Sequence, residues 1–92
     1  LYAERSNLLV RDNQIKGNGA TSAGAMKALS SQVLLVDNQI ADNGTDEDNY
    51  CGVALELCTG AVTGNAFLHN VGVGGGADAL HARACSLTIE DN

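Results

Sequence analysis

Glu56, His81 and Arg83 are the residues whose types suit proton transfer beside a fixed cation, and Lys27 adds a second cation. A carboxylate or an imidazole serves as general acid or base when it lies within hydrogen-bond reach of the reacting group. Arg83 follows Glu56 by the same interval that separates Cys58 from Cys85, and it lies two places after His81. If the chain returns on itself once in every such interval, Glu56 lies one strand spacing from both Arg83 and His81, roughly 5–8 Å. The competing reading is a solvated polar face on which Glu56 and Arg83 form a cross-strand charge pair contributing about 0.2–1 kcal/mol.

Other spacings suit other chemistries. The run Asp46-Glu47-Asp48-Asn49 offers several oxygens on a loop, as Ca²⁺ prefers, with Asp46 and Asp48 as the candidate ligands. It lacks the ligand spacing of an EF-hand, and a solvated acidic loop is the alternative. No other cofactor is expected. Gly72-Val73-Gly74-Gly75-Gly76 has the glycine content of a phosphate loop without the Gly-Lys-Ser/Thr that would follow, so it reads as a turn. His69, beside Asn70 at an expected bend, reads as a surface histidine. Cys58 and Cys85 would occupy equivalent bends, either bridged or stacked as buried free thiols. Cys51 reads as a core residue, and Cys51-x6-Cys58 does not have zinc-site spacing.

The elements that would position these side chains follow from a repeat. Leu8-Leu9-Val10-Arg11-Asp12-Asn13, Val33-Leu34-Leu35-Val36-Asp37-Asn38, Gly60-Ala61-Val62-Thr63-Gly64-Asn65 and Leu87-Thr88-Ile89-Glu90-Asp91-Asn92 align. Their closing asparagines, Asn13, Asn38, Asn65 and Asn92, recur at near-equal intervals, the first slightly shorter than the two that follow. A large apolar residue follows two places later at Ile15, Ile40 and Phe67, and another asparagine five places later at Asn18, Asn43 and Asn70. The alternation between these blocks pairs Met26 with Val53 and Leu80, and Ala28 with Leu55 and Ala82. Solenoids repeat in this way, with insertions confined to loops.

The expectation is an all-β chain forming a right-handed, single-stranded parallel β-helix of about three and a half coils, spanning roughly 6–31, 32–58, 59–85 and a partial 86–92, in one domain. Each coil would supply three short strands with alternate residues inward. The repeated asparagine would stack in a column and take the positive φ of its bend. Composition agrees: there is no Trp, no Pro and one Phe, while Gly, Ala, Val and Leu fill the chain. Leu9, Leu34 and Val36 would face outward beside Ala61. That stripe is either covered by another segment or chain, or simply exposed.

The net charge is −6 and only five residues are Lys or Arg, so the cationic stripe that nucleic acid needs is absent. No apolar run approaches the ~18 residues of a membrane span. The chain begins at Leu1 and ends at Asn92 in mid-pattern, which predicts a fragment whose open ends stack on neighbouring coils or chains.

In the residues L-L-V-R-D-N-Q-I-K-G-N-G (8–19), L-L-V-D-N-Q-I-A-D-N-G (34–44) and S-L-T-I-E-D-N (86–92), the chain resembles the right-handed parallel β-helix superfamily that includes pectate lyases, polygalacturonases, alginate epimerases, phage tailspikes and bacterial surface proteins. The resemblance covers nearly the whole chain. It implies a polysaccharide lying on the outer face of the sheet formed by 25–29, 52–57 and 79–83, with the loops 20–24, 45–50 and 72–78 flanking it. Lys27 and Arg83 would bind uronate carboxylates, Tyr50 would stack on a sugar ring, and Glu56 or His81 would move a proton. The catalytic motifs of those enzymes, among them G-H-G, R-I-K and D-P-H-E, do not occur in the chain. The resemblance therefore implies a structural or carbohydrate-contacting segment of an exported bacterial or phage protein, extracellular or at the cell surface. A polysaccharide lyase, hydrolase or epimerase fragment is the first alternative, and an oligomerising surface or tail-fibre scaffold the second. One fold hosts all three.

Overall fold

The computed structural model describes residues 1–19, 24–45, 52–72 and 79–92. Asp46, Asp48, Tyr50, Cys51 and the glycines of 73–76 lie outside the described residues, and with them the expected calcium loop and the expected stacking tyrosine.

The described residues form β-strands and no helix: β1 (Tyr2–Glu4), β2 (Asn7–Arg11), β3 (Gln14–Lys16), β4 (Met26–Leu29), β5 (Gln32–Val36), β6 (Gln39–Ala41), β7 (Gly44–Thr45), β8 (Val53–Glu56), β9 (Thr59–Thr63), β10 (Ala66–Leu68), β11 (Val71–Gly72), β12 (Leu80–Arg83) and β13 (Ser86–Glu90). Strands of two to five residues have no stability alone. Here each takes its hydrogen-bond partners from the equivalent strand one repeat away, always in parallel. A first sheet runs β1-β4-β8-β12, a second β2-β5-β9-β13 and a third β3-β6-β10, with a short β7-β11 pair beside them. The sheets are separate, and the chain visits them in the same cyclic order in every repeat.

The register sets like on like. Met26 pairs with Val53 and Val53 with Leu80; Val33 pairs with Leu8 and Gly60, and Gly60 with Leu87; Ile40 pairs with Ile15 and Phe67. The inward members Met26, Ala28, Val33, Leu35, Ile40, Val53, Leu55 and Val62 have no accessible surface. Burial of these side chains is the main force holding the sheets together. Gly60 is required where it stands. Its φ is +127°, and a Cβ there would fall 1.9 Å from Val33 O.

The bends depart from the sequence expectation. Positive φ falls on the residue before each stacking residue rather than on the asparagine itself. Three columns carry it: Arg5, Ser30, Leu57 and Ala84; Asp12, Asp37, Gly64 and Asp91; Gly17, Asp42 and His69. Left-handed backbone costs an L-residue roughly 1–2 kcal/mol. It is tolerated here because it turns the chain and aims the next side chain inward, where that side chain satisfies the buried backbone.

Asn38 shows how. Its Nδ2 donates to Val10 O (2.8 Å), Val36 O (3.0 Å) and Asn65 Oδ1 (2.9 Å), and its Oδ1 accepts from Asn13 N (3.0 Å). Asn65 repeats the pattern onto Asn92, and Asn18, Asn43 and Asn70 form a second ladder. Buried amide groups of this kind are stabilising only when all are partnered.

A third ladder stands at the remaining bend. Ser6 N donates to Ser31 Oγ (3.2 Å) and Cys58 N to Cys85 Sγ (3.2 Å). Cys58 and Cys85 are free thiols, so of the two alternatives the structure has stacked thiols and not a bridge. Strand β1 is also new: it extends the first sheet by one strand ahead of the expected first repeat.

Candidate functional site

On the outer face of the first sheet the register builds two side-chain columns. Tyr2, Lys27, Ala54 and His81 form one; Glu4, Leu29, Glu56 and Arg83 form the other. Alternation places these residues outward, because their neighbours Ala3, Met26, Ala28, Val53 and Leu55 pack into the core. Lys27, Glu56, His81 and Arg83 therefore share one face, as the spacing predicts. Tyr50 lies outside the described residues.

The details differ from the expectation in three ways. First, Glu56 and Arg83 are register partners, but the ion pair that closes is the diagonal one, Lys27 Nζ to Glu56 Oε1 at 3.9 Å, with both side chains 27% exposed. The lysine stem is long enough to reach across one strand and two residues along it. Second, Arg83 is exposed and has no ion pair among the described residues, so its guanidinium faces solvent. Third, Ala54, outward by register, has no accessible surface. The centre of the face is closed, and Lys27 and His81, which flank Ala54 in register, are half-buried. A hollow of about 200 Å³ remains at the edge, lined by Glu56, Leu57, Arg83 and Ala84.

Tyr2 and Glu4 belong to the same face, and sequence reasoning misses them. Tyr2 stacks on Lys27 in register and is 61% exposed, and its hydroxyl donates to Glu4 Oε2 at 3.2 Å. That hydrogen bond, followed by partial desolvation and the nearby carboxylate charge, holds the phenol above its ordinary pKa of 10.0. A signal for it does exist: Tyr2 precedes Lys27 by the same interval as Asn13 precedes Asn38, the period of the first repeat.

Two cations, Lys27 and Arg83, and two carboxylates, Glu4 and Glu56, sum to zero on this face, while the whole chain carries −6. The acidic character lies elsewhere, in part at the bends Asp12, Asp37 and Asp91. At the third-sheet bend, Asp42 holds Lys16 Nζ at 3.1 Å and lies 3.7 Å from Nδ1 of His69, whose side chain is 86% exposed. His69 is thus a surface residue beside a carboxylate. Among the described residues, no three His, Cys, Asp or Glu side chains group to hold a metal ion.

On the outer face of the second sheet, Leu9 and Leu34 pair in register and are 64% and 41% exposed, with Ala61 and Thr88 continuing the column. The apolar stripe exists at its first two positions and fades after them. Among the described residues, no helix is long and apolar enough to cross a membrane.

Comparison with known proteins gives no match: no family model fits the chain, and no curated protein or solved structure matches it.

Proposed function

We propose that the chain is wound as a right-handed parallel β-helix of the pectin-lyase-like kind, a segment of an exported protein whose first-sheet face contacts an anionic polysaccharide without transforming it. The winding is supported by the cyclic order of strands and by the preference of parallel crossovers for the right hand. The contact rests on one observation: Lys27, Glu56, His81 and Arg83 stand together on one face of one sheet, with Arg83 exposed beside a hollow. A planar guanidinium is the group best matched to a uronate carboxylate, which it holds through two parallel hydrogen bonds. Lys27 and Glu56 orient one another and supply hydroxyl contacts. The exposed Tyr2 ring, at the other end of the face, offers an apolar surface for a sugar ring.

A binding module needs only the exposed cation and the hollow beside it, whereas an enzyme also needs a free acid–base pair. Glu56 lies against Lys27, which favours contact over catalysis. The test is calorimetric titration of the chain with oligogalacturonate, oligoalginate and hyaluronan fragments, with ultraviolet absorbance read on the same mixtures. Binding of one uronate, weakened at least tenfold by Arg83→Ala with an unchanged circular dichroism spectrum, is the expected result. Unchanged binding in Arg83→Ala refutes the site. Growth of unsaturated-uronate absorbance would replace the binding role with a lyase.

A further inference from the structure

The third bend ladder changes chemistry halfway along. Its first two members, Ser6 and Ser31, are hydroxyls, and its last two, Cys58 and Cys85, are thiols. A hydroxyl and a thiol fill the same ladder role, but only a pair of thiols can be joined.

We propose that Cys58 and Cys85 form a modification site at which a small-molecule disulfide, of the glutathione-disulfide class, converts two stacked thiols into an intramolecular bridge between adjacent repeats. Backbone hydrogen bonds clamp the two residues in step on both sides, Leu57 N to Arg83 O at 2.9 Å and Ser86 N to Cys58 O at 2.9 Å. The two side chains adopt equivalent positions. Cys58 Sγ shares its one hydrogen between Glu56 O (3.2 Å) and Ala28 O (3.5 Å), and Cys85 Sγ likewise between Arg83 O (3.3 Å) and Leu55 O (3.4 Å). Identical placement one strand apart separates the Cα atoms by about 4.8 Å, inside the range that a disulfide accepts. Identical placement holds the Cβ atoms about 4.8 Å apart as well, a little beyond the roughly 3.5–4.5 Å of a relaxed disulfide, so closure draws the two bends together by a few tenths of an ångström while both thiols rotate, and the contacts given up are weak thiol hydrogen bonds.

Burial sets the order of events. Cys58 is buried and Cys85 partly exposed, so Cys85 meets the reagent first. Its thiol loses a proton, the sulfur attacks one sulfur of the small disulfide, and the first small thiolate leaves and takes up that proton. Cys58 then loses its proton and attacks Cys85 Sγ in the mixed disulfide, and the second small thiolate leaves and is protonated. Two protein thiols are oxidised by two electrons and one small disulfide is reduced to two thiols. The backbone N–H of Cys58 lies 3.2 Å from Cys85 Sγ and holds that sulfur beside the second cysteine. The product ties β8 and β9 to β12 and β13 covalently.

The experiment incubates the full chain with glutathione disulfide, quenches by alkylation in denaturant and maps the peptides by mass. The expected result is loss of the mass of two hydrogens, one cross-linked peptide pair containing Cys58 and Cys85, and alkylation confined to Cys51. The Cys51→Ala chain, which removes the one competing thiol, should give the same pair. A stable glutathione adduct on Cys85 with Cys58 still alkylated overturns the proposal, as does a cross-link that includes Cys51.

Discussion

Replacing Asn38 by alanine is the sharpest perturbation of the asparagine ladder. Asn38 is 2% exposed. The substitution removes one acceptor, leaving Asn13 N without its 3.0 Å partner, and one amide nitrogen that serves Val10 O, Val36 O and Asn65 Oδ1. That nitrogen has two hydrogens for three acceptors, so the loss is equivalent to three full hydrogen bonds. At about 1 kcal/mol each, raised because the remaining partners stay buried, the cost is about 3–4 kcal/mol. A chain of this size has total stability on the order of 5 kcal/mol. The assay is urea unfolding followed by circular dichroism, where an m-value of about 1–1.5 kcal/mol/M turns this cost into a midpoint drop of about 2–4 M. Asn13→Ala is the internal control. Asn13 is exposed, its amide reaches Arg11 O at 2.7 Å and Asn38 only at 3.4 Å, and its loss should cost under about 1 kcal/mol.

Asn38→Asp adds a test of sign. It keeps the acceptor for Asn13 N but sets a carboxylate against three acceptor oxygens. Burial and those oxygens raise the folded pKa of the new group above its unfolded value of about 3.9. Measured against the parent at each pH, the variant should be least impaired below that value and lose stability as pH rises through the folded pKa. Equal costs for Asn13→Ala and Asn38→Ala, or an Asn38→Asp penalty flat with pH, would refute the reasoning.

Gly60→Ala should cost more than about 3 kcal/mol in the same unfolding assay, because a Cβ at Gly60 meets Val33 O at 1.9 Å and φ is +127°. Lys27→Met removes the Lys27–Glu56 pair and should change stability by less than about 1 kcal/mol, with the difference shrinking in high salt; a larger effect would mean that the lysine stem matters more than its charge. Ultraviolet titration should find the Tyr2 phenol ionising above its ordinary pKa of 10.0 and falling back towards it in Glu4→Gln. Its folded pKa is raised, so whatever stability it adds is present below pH 10.0 and lost as pH climbs through the folded value.

The columns are legible in the sequence because a stacked repeat places like residues on like. Val10, Leu35, Val62 and Ile89 can be aligned without knowing a single dihedral, and the asparagine spacing carries the same register. Strand β1 escapes notice because Tyr2-Ala3-Glu4 shares no residue types with Met26-Lys27-Ala28-Leu29 beyond one alanine. The serine–cysteine ladder escapes for a related reason: different residue types fill one hydrogen-bonding role. The sequence expectation sets the bends one residue too late because asparagine tolerates positive φ in isolation, whereas Arg5, Leu57 and Ala84 are placed there by the backbone bonds on either side of them. On the candidate face, spacing puts Glu56 opposite Arg83, but side-chain reach decides the ion pair, and reach along a diagonal is not a property of the register.

Isotope-edited nuclear Overhauser measurement on the 92-residue chain reads the stacking of the repeats itself. Stacking predicts contacts between the side-chain amide protons of Asn38 and the β-protons of Asn65, with Hα–HN contacts of the parallel pattern between β5 and β9. Contacts joining β4 to β5 as an antiparallel hairpin, with Asn38 and Asn65 silent towards one another, would contradict it.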